Sequence, residues 1–199
     1  ADKLPKVWEF IRGQIAQGRQ AYVVYPRVEE TDRGQLKAVT GEFEKLKNQL
    51  APIQVGLLHG RLRAEEKEAV MTGFRSGRVQ VLVATSVIEV GVDVANATVM
   101  LIEHAEQFGL AQLHQLRGRI GRGAHESYCI LVAELKTEAA IARLRVLEES
   151  QDGFRIAEED LQLRGPGELL GREQSGLPAF RFADLVADRG LLERARSLA

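Results

Sequence analysis

The sequence predicts an α/β fold: a parallel sheet with helices on both faces, followed by a helical hairpin and an extended loop. Three observations carry this. Short apolar runs of strand length alternate with longer stretches of helical periodicity. The runs are apolar at successive positions, as in strands covered on both faces. Beyond residue 136 the alternation stops, and two helical stretches follow one another across a turn.

The elements follow in order. Residues 3–18 read as a helix, because Val7, Phe10, Ile11 and Ile15 share a face and Gly18 is a stop signal. Ala21 to Tyr25 is a short apolar run closed by Pro26, which suits a buried strand. Residues 34–49 are helical in pattern, with Leu36, Val39, Phe43, Leu46 and Leu50 near heptad spacing. Ile53 to Leu58 reads as a second strand. Residues 64–74 form a charged amphipathic helix with Val70 and Phe74 inward. Further strands fall at 79–84, 98–102 and 127–132, with a helix at 109–118 between the last two. Strands that alternate with helices imply a parallel sheet. Ligands of such sheets bind beyond the carboxyl ends of the strands, here the loops after Tyr25, Leu58, Ala84 and Ile102.

The chain divides at residues 135/136. Residues 137–149 form a helix carrying Ile141, Leu144 and Leu147. A second helix begins near Ile156 and stops at Gly165-Pro166-Gly167, and the Asp152-Gly153 turn joins the two into a hairpin. Arg164 to Gly176 is rich in glycine and reads as loop. A last helix is expected at 182–197, with Leu185, Leu191 and Leu192 as packing residues. Residues 177–199 carry no role that the sequence reveals.

Bulk properties narrow the function. Lys and Arg number 27 against 28 Asp and Glu, a formal charge of −1. Binding to nucleic acid would therefore rest on local basic patches. The single cysteine, Cys129, lies in the apolar run Tyr128 to Val132. It reads as a core thiol and suits a reducing, cytoplasmic setting. No window reaches the ~18 apolar residues of a membrane span. The opening lacks a signal-peptide pattern and reads as the middle of a longer protein.

Three segments carry candidate chemistry. Gln115 to Gly123 holds Arg117, Arg119 and Arg122, separated by glycines. Arginine is planar and permanently charged, which suits bidentate contact with phosphate, and glycine permits close backbone approach. Ala84 to Asp93 runs from a strand into Thr85-Ser86 and on to Gly91-Val92-Asp93. Hydroxyls and free amides at a strand's carboxyl end suit a phosphate oxygen. Gly56 to Arg61 brings His59, Gly60 and Arg61 to the end of a strand. Each has a plainer reading when taken alone: a solvated basic loop, a helix cap at Thr85 or Ser86, a structural histidine. His59, His104, His114 and His125 lack partners at metal spacing, so no metal is assigned.

What the sequence lacks is also informative. It has no Gly-Lys-Ser/Thr phosphate loop, no Asp-Glu pair and no Gly-x-Ser-x-Gly elbow. It has arginines to stabilise a transferring phosphoryl group but nothing to hold a nucleotide and its metal. That is the profile of a lobe that donates an arginine to a neighbouring site.

Together the segments resemble the superfamily 2 helicases. Gln115 to Arg122 resembles their motif VI and Thr85 to Asp93 their motif V. Val24-Tyr25-Pro26 and His59-Gly60 resemble motifs IV and IVa. Asp160 to Gly176, after a helical hairpin, resembles the TRG translocation motif shared by the RecG and Mfd families. The Pro166-Gly167-Glu168 form of that motif, with Gly56 to Arg61, resembles RecG. The resemblance covers residues 20–176.

It implies a RecA-like second helicase lobe over 1–135, with the hairpin, TRG motif and C-terminal helix over 136–199. It implies ATP and Mg2+, both held mainly by a first lobe outside this chain, with Arg119 and Arg122 reaching the γ-phosphate. Gly91, Asp93 and Gln115 would line the nucleotide cleft. Thr85, His59, Gly60 and Arg61 would touch DNA. Arg143, Arg164 and Gln174 would couple cleft closure to movement of the duplex. The implied partners are double-stranded and branched DNA, with a first RecA-like lobe and a wedge domain of the same chain. The implied protein is a cytoplasmic monomer with no membrane contact that remodels stalled forks and Holliday junctions. An Mfd-like lobe acting on stalled polymerase, and a non-motor interaction domain with a helicase-like fold, remain open alternatives.

Overall fold

The computed structural model describes residues 4–26, 33–85, 94–134 and 137–164; of these, the side chains of 33–38, 139 and 161–164 are not described. The expected loop at 164–176 beyond Arg164 and the expected helix at 182–197 lie outside the described residues.

Backbone proximity divides the chain into two compact units. The first comprises residues 1–108 and 115–134, and the second 109–114 and 135–199. The first unit opens with helix α1 (Leu4–Ala16), strand β1 (Gln20–Tyr25), helix α2 (Arg33–Leu50) and strand β2 (Val55–Leu58). Helix α3 (Ala64–Arg75) and strands β3 (Val81–Thr85) and β4 (Ala97–Ile102) follow. Helix α4 (Leu110–Arg117), whose residues as far as His114 fall in the second unit, then leads to strand β5 (Tyr128–Leu131) of the first.

The five strands form one sheet in the order β2-β3-β1-β4-β5, and every neighbouring pair is parallel. Central β1 pairs Val23 with Val83 on one side and with Leu101 on the other. The three inner strands are buried along their whole length, which is why they read as unbroken apolar runs. The edge strands β2 and β5 are mostly half-buried.

Successive side chains along a strand point to opposite faces, so one run feeds two cores. Val23 and Tyr25 join Val83 and Leu101 beneath Trp8, Ile11 and Ile15 of α1 and Val39, Leu46 and Leu50 of α2. On the other face Tyr22 meets Phe74 of α3, with ring centroids 4.9 Å apart. Phe74 is fully buried, and burial on that scale stabilises by about 1.5–3 kcal/mol.

Three details differ from the sequence pattern. Strand β2 starts at Val55, because Ile53 is held in a turn by its N–H donating to the Leu50 carbonyl at 3.0 Å. A short 3-10 helix, Ala105–Gln107, follows His104, whose backbone is left-handed at φ 52°. Cys129 is half-buried rather than enclosed, because β5 is an edge strand.

In the second unit, helices α5 (Glu138–Glu149) and α6 (Gly153–Arg164) form the hairpin. Thr137 caps α5 by accepting from the Ala140 N–H at 3.2 Å. Helix α6 begins at Gly153, three residues before Ile156, because the Asp152 carboxylate accepts from the Phe154 N–H at 2.9 Å. Leu144, Leu147 and Ile156 are buried.

Candidate functional site

In a parallel sheet all strands point the same way, so every loop belongs to one of two rims. The carboxyl rim follows Tyr25, Leu58, Thr85, Ile102 and Leu131; the amino rim precedes Gln20, Val55, Val81, Ala97 and Tyr128.

The His59-Gly60-Arg61 turn and Thr85 stand at the carboxyl rim, as expected. Thr85 ends β3, is buried, and pairs in register with Tyr25. The turn is tied to α3. The Leu62 N–H donates to the His59 carbonyl at 3.2 Å, and Lys67 donates to the Gly60 carbonyl at 3.0 Å. The Arg63 N–H donates to Glu66 at 2.8 Å, closing the first turn of α3. Hydrogen bonds from Arg63 hold the Glu66 carboxyl below its ordinary pKa. His59 is half-buried, and its Nδ1 is enclosed without a hydrogen-bond partner. Burial, then the charges of Lys67 and Arg61, lowers its pKa from the ordinary 6.5. Arg61 is exposed. Lys67 is a cation the sequence reading did not single out; its spacing of seven residues from Gly60 gave no signal without the turn.

The arginine segment lies elsewhere. It joins the end of α4 to the start of β5, which puts it at the amino rim. This segment falls outside the loops singled out by the carboxyl-rim rule, which rests on helix N-termini and free amides at that rim. A guanidinium carries its own charge and needs no such rim. The carboxyl-rim crevice between β1 and β4, where the chain leaves in opposite directions, is moreover acidic. Glu103 stands there, its N–H donating to the Val24 carbonyl at 2.9 Å, beside buried Tyr25. Burial, with Glu103 and then Glu42 nearby, raises the Tyr25 hydroxyl pKa well above 10.0, and burial raises that of Glu103.

At the amino rim, Gln115 is exposed on α4 and Arg119 is half-buried one turn on. The Arg119 N–H donates to the Leu116 carbonyl at 2.9 Å. Among the described residues, no carboxylate pairs with its guanidinium. Arg122 is exposed, and its Nε donates to the Gly118 carbonyl at 3.2 Å. Gly121 between them has φ +80°, which a side chain would strain. A Cβ on Gly123 would lie 2.6 Å from the Ala95 carbonyl oxygen, so only glycine fits.

Three polar residues of the same rim were also missed. Arg19 Nη1 donates to Asn96 Oδ1 at 3.4 Å, and Arg19 Nη2 donates to His125 Nδ1 at 3.1 Å. Asn96 Nδ2 donates to the Gly18 carbonyl at 2.6 Å. Residues 19, 96 and 125 are far apart in sequence, and only the strand order brings them together.

Arg143 lies half-buried on α5 and Arg164 is the last residue of α6. Gly91, Asp93 and Gln174 lie outside the described residues, as does the Arg164 side chain. Among the described residues, no group of three His, Cys, Asp or Glu could hold a metal ion. Burial raises the Cys129 thiol to about 11, which makes it a poor nucleophile at neutral pH.

With this geometry in place, the comparisons bear on the whole chain. Residues 2–124 match the family described as helicase conserved C-terminal domain. The chain belongs to that family. Residues 150–199 match a second family, described as ATP-dependent DNA helicase RecG, domain 3, C-terminal. The RecG of Synechocystis is 55% identical over all of this chain, and that of Thermotoga maritima is 51% identical over 98% of it. The chain spans about a quarter of the length of these relatives, 24% and 25% respectively. A solved structure of RecG bound to a three-way DNA junction matches 97% of this chain and 25% of that one. Its identity is 48% and its TM-score 0.74. The Mycobacterium smegmatis helicase Lhr matches 71% of this chain and 19% of its own at 21% identity and TM-score 0.51, a likeness of fold alone. The resemblance to RecG read from the motifs thus extends along the whole chain, and the sheet is that of a RecA-like helicase C-terminal domain.

Proposed function

We propose that this chain is the second motor lobe, with its coupling appendage, of a RecG-type ATP-dependent DNA helicase that remodels branched DNA. The amino rim meets the triphosphate, and the carboxyl rim meets the DNA backbone. Residues 1–135 act as the lobe and 136–199 as the appendage. ATP and Mg2+ are held mainly by a first lobe. This lobe contributes Arg119 and Arg122 to the γ-phosphate, with Gly91, Asp93 and Gln115 lining the cleft. Thr85, His59, Gly60 and Arg61 face the DNA backbone. Arg143, Arg164 and Gln174 belong to a TRG motif that couples cleft closure to translocation. The protein works as a cytoplasmic, nucleoid-associated monomer; among the described residues, no helix is long and apolar enough to cross a membrane.

One observation carries the reading. Arg119, with no carboxylate partner among the described residues, stands with Arg122 on a glycine-jointed segment, and the chain's relatives are named ATP-dependent DNA helicase. Likeness to RecG proteins along the whole chain also favours this family over the Mfd-like alternative. A guanidinium held ready for a phosphoryl group stabilises charge that develops in the transition state. In the full-length protein, Arg122→Ala should lower DNA-stimulated ATP turnover on the order of 10³-fold, the loss typical of an arginine finger. Near-normal turnover would remove Arg122 from the role and leave an interaction domain as the better reading.

A further inference from the structure

We propose that Arg19, Asn96 and Gly123 are positioning residues that fix where the Arg119–Arg122 segment stands. The inference rests on the reading of Arg122 as the phosphate-contacting group and extends it to residues that touch no substrate.

The segment is held at three places. At its start, Ile120 is buried and its N–H donates to the Arg117 carbonyl at 3.3 Å. In the middle, Gly123 sits on the backbone of Ala95. Its absent Cβ would lie 2.6 Å from the carbonyl oxygen and 3.8 Å from the Ala95 Cβ. The near atom belongs to backbone, so it cannot swing aside as a side-chain tip would. Gly121 differs: its Cβ would meet only Ser127, at 3.6 Å and beyond, so its demand is for dihedral freedom rather than space. At the far end, His125 accepts from Arg19 at 3.1 Å. A guanidinium has donors only, so the imidazole Nδ1 must be the acceptor. Arg19 also donates to Asn96 at 3.4 Å, and Asn96 donates to the Gly18 carbonyl at 2.6 Å. Asn96 follows Ala95 directly, so the seat under Gly123 and the tie to His125 share one support.

An exposed arginine has many rotamers. Fixing its backbone narrows where the guanidinium can go, and misplacement by about 1 Å can cost up to 10²-fold in rate. Arg19 and Asn96 therefore act through Arg122.

The test uses the full-length protein with Arg19→Ala, Asn96→Ala and Gly123→Ala, each alone and each combined with Arg122→Ala. Each single change should lower kcat for DNA-stimulated ATP hydrolysis by roughly tenfold, and leave KM for ATP and affinity for a three-way junction within about twofold. Each should cost less once Arg122 is alanine, because only Arg119 is then left to misplace. A second readout does not depend on ATP: trypsin cleavage after Arg122 should speed up several-fold, on the order of threefold or more, at unchanged Tm. Losses that multiply in full with that of Arg122→Ala, or a KM that rises and a junction affinity that falls in step with kcat, would overturn the proposal. So would unchanged tryptic cleavage. Should Gly123→Ala fail to fold, the Arg19 and Asn96 variants alter side chains only and decide the matter. If Arg122→Ala keeps its turnover, the phosphate reading fails, and tryptic cleavage then decides the positioning role by itself.

Discussion

At the scale of single residues, the sequence marks candidates more readily than it marks their neighbours. Arg119 and Arg122 stand out because three arginines among glycines serve no core and cap no helix. Arg19 and Asn96 do not, because each is an ordinary polar residue before a strand until β1 and β4 are set side by side. His59 shows the same limit. Its position after a strand was legible, but the cation facing it, Lys67, was not. That environment gives a prediction. His59 has a folded pKa below the ordinary 6.5, so between the two values the unfolded chain binds the proton and the folded chain does not. Stability therefore rises with pH through that window, is fully present above 6.5, and is lost as pH falls toward the folded value. An NMR titration of the imidazole should show a midpoint below 6.5, and Lys67→Met should move it upward by removing a cation. A midpoint at or above the free-histidine value would mean that His59 is solvated and the turn differently built.

At the scale of elements, the strands were legible because their burial is two-sided, and runs such as Tyr22-Val23-Val24 leave no other economical reading. Ends were harder. Helix α6 begins earlier than its apolar pattern, since a capping carboxylate at Asp152 outweighs the absence of a buried residue in the first turn. The 3-10 helix at Ala105–Gln107 is too short to leave a periodicity. The hairpin offers a test of how much a single cap matters. Thr137 is exposed, so its only evident contribution is to satisfy the Ala140 N–H. Thr137→Ala should destabilise the second unit by about 1 kcal/mol, and Thr137→Ser should be close to neutral. Denaturant midpoints at constant m-value would measure this; equal stability of the alanine variant would show that water satisfies the donor as well.

At the scale of the whole molecule, the strand order was the part least open to sequence. A parallel sheet already puts a segment between a helix and its following strand at the amino rim, but only the order β2-β3-β1-β4-β5 says which segments are neighbours there. On the proposed reading, two rims let one lobe meet two ligands without competition. Phosphate of the nucleotide and phosphate of DNA would otherwise seek the same cations. Coupling between them then requires an element whose arrangement both ligands bias. If Gln174 belongs to it, Gln174→Ala should spare ATP turnover more than unwinding in the full-length protein; equal loss of both would argue against a coupling role. The same arrangement fixes what the chain can do alone. On the proposed reading it carries arginines for a transition state, but it has no Gly-Lys-Ser/Thr loop to cradle the phosphates. Binding energy toward ATP should thus be small, and with no partner lobe there is no closed cleft from which water is excluded. The 199-residue chain by itself should show no DNA-stimulated ATPase, while retaining weak, salt-dependent affinity for DNA through its carboxyl rim. Turnover by a clean preparation that disappears with Arg122→Ala would mean that this lobe holds a complete site, and that the division of labour between lobes is wrong.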